Sequence, residues 1–304
     1  MRRGYSHIWF AGPAVLLMLL ILVVPIGVAA FLSFTDYSLG NDSARWVGLD
    51  NYDRLFGRSA YLAMFSASFV YVVVVVPASL GLGLGAALLI NSVRRFGDFY
   101  KTIYFLPVMA ALLAMAIVWE FALHPSIGII NKVLASGCGT ALESWGWYAE
   151  SCARSFPNWL GDRDYTMPTI IFIGVWQAFG FNMVLYLAGL TSVPRELYQA
   201  AEMDGADGAW DRFRIVTWPM LGPTTVFVLT ITTIRSFQVF DTVEALTRGG
   251  PSKSTYVMMY AIFEKGVQQN LIGVGSAITV VFVGFVMLLT MGQRWYVERR
   301  VHYS

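Results

Sequence analysis

Few side chains in this sequence have the types and spacing that catalysis or metal binding needs. The three histidines, His7, His124 and His302, lie far apart and form no metal-ligand set. The sequence contains no Walker-type phosphate loop, no Gly-x-Ser-x-Gly elbow and no His-Glu-x-x-His pattern. Glu120 is interpreted as an interfacial acid rather than a catalytic one. We therefore predict no catalytic residue, no metal site and no cofactor held by this chain itself.

The densest group of charged side chains lies between two apolar runs, at 194–214. Pro194 fits the first turn of a helix, and Ala200 and Ala201 continue its apolar face. Gly205 can end that helix and reverse the chain. An ordinary solvated loop does not need a face of small residues, so the pattern favours a docking surface for a soluble protein.

Polar side chains inside the apolar runs form a second group, because polar residues are costly in a bilayer and are functional candidates by default. Candidates for a solute path are Gln177, Asn182, Ser236, Gln238 and Asp241. Amides and hydroxyls both donate and accept hydrogen bonds, which suits a neutral polyol. The alternative, that these side chains only bond neighbouring helices, stays open.

Arg235 ends one of the apolar runs and has two interpretations. An arginine near the end of a span usually extends its charged group to the membrane interface. Turned towards a solute path instead, it would favour an anionic solute such as a glycerol phosphate.

The elements that position these side chains follow from the distribution of charge. Only 13% of the residues are charged and 57% are hydrophobic, whereas a soluble domain carries about 25% charge. Six uncharged runs approach or exceed the roughly 20 residues that a membrane helix needs, and solid stretches such as 72–76 lack the alternation of a barrel strand. We predict an all-α polytopic membrane protein, one domain over 1–304, with spans at about 8–34, 61–91, 102–123, 167–193, 216–237 and 268–293.

Two further expectations concern the spans themselves. The first run is longer than the core of a signal peptide, so we expect it to remain as a span. Gly81, Gly83 and Gly85 form a glycine ladder in the second span, which we expect to be a close helix-packing face.

The placement of lysine and arginine predicts the orientation. Both termini and the loop 94–101 are rich in basic residues, so we expect the N- and C-termini in the cytoplasm. The segment 194–214 then faces the cytoplasm and 124–165 faces the periplasm. Cys138 and Cys152 share that outer loop, where a disulfide can persist, although two unpaired thiols are the alternative.

Five motifs in order resemble those of the inner-membrane permease subunits of ABC importers, in the sugar and glycerol-phosphate (maltose-permease-like) family. One of the five, which is the fourth along the chain, is similar to the EAA loop and consists of Gln199-Ala200-Ala201, Gly205 and Val216-Thr217-Trp218-Pro219. It departs from the family pattern by Gln199 in place of Glu, by one extra residue after Gly205 and by Trp218 in place of Leu. The other elements are Gly48-Leu49-Asp50-Asn51-Tyr52, Phe105-Leu106-Pro107, His124-Pro125-Ser126-Ile127-Gly128-Ile129-Ile130-Asn131, and Phe237-Gln238-Val239-Phe240-Asp241 followed by Leu246-Thr247-Arg248-Gly249-Gly250-Pro251.

This resemblance implies a MetI-like bundle of the type I importers in the bacterial or archaeal cytoplasmic membrane. The implied partners are a second permease subunit, two ATPase subunits that bind ATP and Mg²⁺, and an external solute-binding protein, with no nucleic acid. The resemblance also places Gly180 and Met183 on the solute path and makes 194–214 a coupling loop. The implied ATPase-coupling residues are Glu196, Gln199, Ala200, Ala201, Asp204, Gly205, Trp210 and Phe213.

The predicted function is a non-enzymatic permease subunit that translocates a carbohydrate, a mono- or oligosaccharide, delivered by an external binding protein. The C-terminal stretch 296–303 resembles glycerol-phosphate permeases, so an importer of glycerol 3-phosphate or a glycerophosphodiester is the alternative. A different class of alternative is an ATP-independent six-span carrier or channel. A purely structural membrane protein would not need the Ala-Ala and Gly pattern of the loop.

Overall fold

The computed structural model describes residues 6–41, 43–93, 96–138, 146–153 and 155–298. Within these ranges the chain forms helices and no β-strand, and one isolated bridge pairs Thr35 with Trp46. The α-helices in chain order are α1 (Ser6–Met18), α2 (Val24–Leu32), α3 (Asp50–Gly57), α4 (Ser59–Ser92), α5 (Gly97–Met109), α6 (Leu112–Ala122), α7 (Ile129–Ser136), α8 (Gly146–Ala153), α9 (Arg163–Thr191), α10 (Arg195–Met203), α11 (Ala209–Arg212), α12 (Trp218–Met220), α13 (Gly222–Phe237), α14 (Asp241–Leu246), α15 (Met258–Phe263) and α16 (Ile272–Glu298).

Five stretches of the described residues are helical, long and apolar enough to cross a membrane. A sixth span exists if α5 and α6 count together as one broken span. In the described part of the chain, π-helical turns at Leu19–Val23, Phe213–Thr217 and Glu264–Gln268 join or extend helices. The predicted all-α polytopic class is confirmed, and the five continuous candidates are Ala11–Leu32, Ser59–Ser92, Arg163–Thr191, Gly222–Leu246 and Ile272–Gln293.

The stretch predicted as the third span, 102–123, is not one straight helix. The axes of α5 and of Ala114–Ala122 differ by 97°. Between the two helices the backbone is extended, with ψ of 140° at Ala110 and 122° at Ala111. Pro107, in the last turn of α5, removes one of the backbone donors that hold a helix end together. Hydropathy reports only the apolar composition, which continues unchanged across this break.

The described residues divide into two compact units, of which the first comprises 1–62 and 258–286. Asn51 is buried there and donates its Nδ2 to the carbonyls of Ser33 (2.9 Å) and Thr35 (2.8 Å). A single amide thus satisfies carbonyls left free at the end of α2, which explains an asparagine at this place in the motif.

The second unit, 63–257 and 287–304, is built around α9. Glycines allow its neighbours to approach closely: an added Cβ at Gly83 of α4 would lie 2.8 Å from the Cβ of Asn182, and one at Gly180 would collide with the carbonyl of Tyr104 in α5. Apolar side chains of α4, of α9 and of the start of α13 form a core of this unit, and these are Ala87, Ile90, Met183, Tyr186, Leu190, Leu221 and Val228.

The predicted glycine packing face of the second span is confirmed at Gly83 alone. An added Cβ at Gly81 or Gly85 would meet nothing within 4 Å. Residues two apart lie on opposite sides of a helix, so the ladder cannot present all three glycines to one neighbour. Gly81 and Gly85 instead border an apolar groove beside Tyr104 and Phe179.

The loop between α6 and α9 has its own small structure. Cys138 and Cys152 are joined by a disulfide. Asn131 is buried and donates to the carbonyl of Pro125 (3.0 Å), while its Oδ1 accepts from the indole of Trp159 (2.6 Å). The loop is therefore held by a covalent link and by one central amide.

Candidate functional site

The helix expected after Pro194 is present as α10. Gly205 follows it with φ of +89°, a left-handed conformation that glycine adopts without strain. The N–H of Ala206 donates to the carbonyl of Ala201 (2.9 Å), and the N–H of Gly205 donates to that of Glu202 (3.1 Å). This pattern ends a helix and reverses the chain.

Residues 193–218 contain the predicted coupling loop 194–214, and we name them the coupling segment after that prediction. They enclose a small apolar core of their own. Its members are Val193, Ala201, Ala206 and Val216, and Ala201 is only 6% exposed. The small side chain of Ala201 therefore lets the two halves of the segment approach each other. Its methyl group is not available to a partner at the surface.

Polar and aromatic contacts complete the coupling segment. The hydroxyls of Tyr198 and Thr217 lie 3.0 Å apart, and Arg212 donates to Glu202 at 2.6 Å. The rings of Trp210 and Phe213 stack with centroids 5.5 Å apart. The first two of these contacts connect α10 to the residues that lead into α13.

Most of the residues predicted to couple to an ATPase lie at the surface of this segment. Its most exposed apolar residues are Met203, 89% exposed, and Trp210, 70% exposed. Met203 was not predicted, because on sequence it is only the last residue of an amphipathic helix. Phe213 is half-buried, and the predicted residues that are exposed are Glu196, Gln199, Ala200, Asp204, Gly205 and Trp210.

A cavity of about 460 Å³ lies within the second unit, among α4, α9, α13 and α14. It is lined mainly by polar and aromatic groups. Among the residues predicted for the solute path, those at this cavity are Gln177, Asn182, Ser236, Gln238 and Asp241.

Gly180 and Met183, the two path residues implied by resemblance, lie away from the cavity lining. Gly180 faces the backbone of Tyr104. Met183 is fully buried in the core, with Tyr186 and Leu221. The lining residues of α9 span an arc that runs from Gln177 through Phe181 to Asn182. At about 100° per residue, Gly180 and Met183 fall outside that arc.

Asn182 joins three helices at the wall of the cavity. Its Nδ2 donates to the hydroxyl of Ser79 in α4 (3.2 Å), and its Oδ1 accepts from Thr232 in α13 (2.7 Å). Asn182 is fully buried. In this structure the amide of Asn182 therefore bonds helices to one another. Contact with a solute remains a proposal for the other polar residues of the cavity.

Arg235 lines the cavity and is exposed to it. Its guanidinium carbon lies 4.0 Å from the centre of the Phe181 ring, in a cation–π contact. No carboxylate of the described residues lies within ion-pair distance of this guanidinium.

A second cavity, of about 400 Å³, shares Asp241 with the first. It is also lined by Glu120, Glu244 and Arg248. Glu120, interpreted from the sequence as an isolated interfacial acid, thus lies in a group of charged side chains. Among the described residues no cluster of histidine, cysteine, aspartate and glutamate has an arrangement that could hold a metal ion.

A broken helical bundle, a polar cavity and a compact polar segment between two spans define a membrane transport subunit. The chain belongs to the family described as "binding-protein-dependent transport system inner membrane component", which matches residues 79–303. It is thus an inner-membrane component of an importer that works with a solute-binding protein.

Curated relatives match over nearly their full length. The chain is 30% identical over 308 residues to the sn-glycerol-3-phosphate transport system permease protein UgpA of Yersinia enterocolitica, covering 100% of this chain and 99% of that protein. It is 29% identical over 287 residues to the probable ABC transporter permease protein YurN of Bacillus subtilis, covering 93% of each. These matches confirm the predicted ABC importer permease and disfavour an ATP-independent carrier.

Solved structures share the fold. A chain of a bacterial ABC transporter involved in the import of the acidic polysaccharide alginate superimposes with a TM-score of 0.79 and 21% identity, covering 97% of this chain and 96% of that chain. A chain of the alginate transporter in complex with a pentasaccharide-bound periplasmic protein gives a TM-score of 0.80 and 20% identity, with both chains covered fully.

Proposed function

We propose that this chain is a non-catalytic permease subunit of an ATP-driven importer and conducts a carbohydrate through the cavity of its second unit. The single observation that carries the proposal is the cavity itself, a space of about 460 Å³ among membrane helices. Gln177, Ser236 and Gln238 offer it amides and a hydroxyl, and Tyr71 and Phe240 add aromatic rings to the lining. Such groups suit a polyhydroxylated ring, which has hydroxyls at its edge and an apolar face.

The proposed assembly contains this chain, a second permease subunit, two ATPase subunits and an external solute-binding protein. The ATPases bind ATP and Mg²⁺ and contact the coupling segment on the cytoplasmic face. Met203 and Trp210 form the apolar part of that contact, because large exposed apolar groups on a polar segment mark an interaction site. The membrane is the cytoplasmic membrane of a bacterium or archaeon, with both termini in the cytoplasm.

A second candidate solute is glycerol 3-phosphate or a glycerophosphodiester. Two observations favour it: Arg235 lies at the cavity, and the Yersinia enterocolitica relative is a permease for sn-glycerol 3-phosphate. Both candidates are polyhydroxylated compounds, so the same cavity groups would bind them.

Reconstitution in proteoliposomes tests the proposed function. The chain is co-purified with the ATPase, second permease and binding protein encoded beside it, and uptake of radiolabelled maltose, raffinose and sn-glycerol 3-phosphate is measured. We expect uptake that requires both ATP and the binding protein. Uptake without ATP, or a gene neighbourhood without an ATPase, a second permease and a binding protein, would contradict the proposal.

A further inference from the structure

The charged groups of the main cavity are not paired with each other. Arg235 and Asp241 both line it, and neither forms an ion pair with another described residue. A cleft surrounded by protein of low dielectric constant focuses the field of such charges. An unpaired charge of this kind among membrane helices is a functional candidate whose natural partner is a group of opposite sign.

The guanidinium of Arg235 lies over an aromatic ring. Its carbon is 4.0 Å from the centre of the Phe181 ring, and its N–H groups donate to no other described residue. Ser236 and Gln238 follow in the chain, and Gln177 lines the same cavity from α9. A planar fork of donors beside neutral polar groups matches the paired oxygens of a carboxylate or a phosphate.

Most carboxylates near the main cavity belong to the second cavity, which shares Asp241 with it. The second cavity, which shares Asp241, contains Glu120 and Glu244 with Arg248. Acidic groups therefore outnumber basic ones there, whereas Arg235 is the basic group of the main cavity. A chain of many acid groups would be repelled by these carboxylates, while hydroxyls can donate to them.

We infer that Arg235 is a specificity-determining residue that binds the one acid group of a small polyhydroxylated solute, whose hydroxyls face Asp241. This inference rests on the proposed function and narrows its solute class to polyol phosphates and sugar acids. Phosphate and carboxylate share the recognised chemistry, a planar or tetrahedral anion with at least two oxygens for the guanidinium.

Protection of an introduced thiol tests the inference directly. Both cysteines of the sequence are in the disulfide, so Gln238→Cys provides a single reactive thiol at the cavity. The assembled transporter is reconstituted in nanodiscs and labelled with a small thiol reagent in the presence of sn-glycerol 3-phosphate or glucuronate. Glycerol and glucose, which have the same carbon skeletons without the acid group, serve as the neutral probes.

With Arg235 present, we expect each acid probe to protect the thiol from labelling at a concentration about tenfold or more below that of its neutral counterpart. A ratio of this size corresponds to the free energy of one charge-assisted hydrogen bond. Arg235→Gln removes this difference, Arg235→Lys keeps part of it, and Arg163→Gln, at the exposed start of α9, leaves it unchanged. Protection by only one of the acid probes assigns the source as phosphate or carboxylate.

Equal protection by acid and neutral probes, no protection by either acid, or a preference that survives Arg235→Gln overturns the inference. An alternative is that Arg235 only pairs with Asp241 in another conformation. Asp241→Asn and Arg235→Gln would then impair uptake to the same extent, and the preference for acid over neutral probes would not change. This result also overturns the inference. A measurement of ATP-dependent uptake by the same transporter separates the two proposals. Complete absence of uptake refutes the proposed function. Uptake that does not prefer acid solutes refutes only the role of Arg235.

Discussion

Ala200 and Ala201 are adjacent residues of one type in different surroundings. Ala201 is buried in the core of the coupling segment, and Ala200 is exposed. We expect Ala201→Trp to open this core, because overpacking forces neighbours apart, and to abolish ATP-driven uptake while the chain still inserts. Limited proteolysis of the segment, at matched protein levels, measures the opening.

Ala200→Trp is the matched control and should leave the segment as resistant to protease as the parent. Equal protease sensitivity of the two variants would show that Ala201 does not support a core. Normal uptake by Ala201→Trp would contradict the coupling role of the segment.

Asn182 gives a prediction about stability. Asn182→Leu removes its bonds to Ser79 and Thr232, so we expect the free energy of unfolding to fall by about 1 kcal/mol, the usual range of a bond between membrane helices. The loss is modest because a hydroxyl can bond a carbonyl of its own helix instead. Thermal unfolding of the purified complex in detergent measures it.

Gln177→Leu is the control for this measurement. Gln177 lines the cavity at a half-buried position, so its replacement should change solute binding more than stability. A fall for Gln177→Leu as large as that for Asn182→Leu would contradict the distinction between a wall residue and a lining residue.

At the scale of single residues, the sequence predicts which side chains are polar within a span, but not which way they face. Gln177 and Gln238 were predicted on chemistry alone and lie at the cavity. Gly180 and Met183 lie on other faces of the same helix. The rotation of α9 about its axis is set by the glycines that its neighbours pack against, and this depends on several helices together.

At the scale of elements, α10 presents Met203 at the exposed end of the coupling segment. We expect Met203→Asp to weaken the proposed ATPase contact about tenfold, since buried apolar anchors carry much of the energy of an interface. The coupling segment would stay folded, because Met203 is outside its core. Co-purification of the ATPase and solute-stimulated ATP hydrolysis measure the change.

Asp207→Asn, at an exposed position of the same segment that is not among the predicted coupling residues, is the control and should keep both activities near the level of the parent. An unaltered ATPase contact in Met203→Asp would place the interface on another part of the segment.

At this scale the length of each apolar run can be predicted from composition, because the thickness of the bilayer imposes it on every span. The break between α5 and α6 cannot be predicted in this way, because Ala110 and Ala111 are as apolar as the residues around them. The backbone changes direction there without a change in hydropathy, and Pro107 is the one residue of the stretch that signals a weakened helix end.

At the scale of the whole molecule, the disulfide makes topology easy to measure. With both native cysteines paired, Ser126→Cys and Asp204→Cys each provide one thiol in an exposed position. We expect a membrane-impermeant reagent to label Ser126→Cys in intact cells and Asp204→Cys only after permeabilisation. The opposite pattern would invert the proposed orientation.

Removing the disulfide should affect its own loop only. Its cysteines are 14 residues apart, a separation for which loop-closure entropy predicts about 3 kcal/mol. We expect a Cys138→Ser, Cys152→Ser variant to exchange amide hydrogen faster in α7 and α8, with the coupling segment unchanged. Unchanged exchange in α7 and α8 would mean that Asn131 and its partners hold the loop without the covalent link.

The coupling segment has a small apolar core of its own, and this has an evolutionary consequence. A stretch whose buried contacts are mostly with itself can be exchanged between permeases as a cassette, because the receiving bundle does not have to repack around it. Chimeras that carry residues 193–218 of this chain in a homologous permease should therefore keep the host's solute and acquire this chain's choice of ATPase. Selection for the solute and selection for the motor can then proceed separately within one polypeptide.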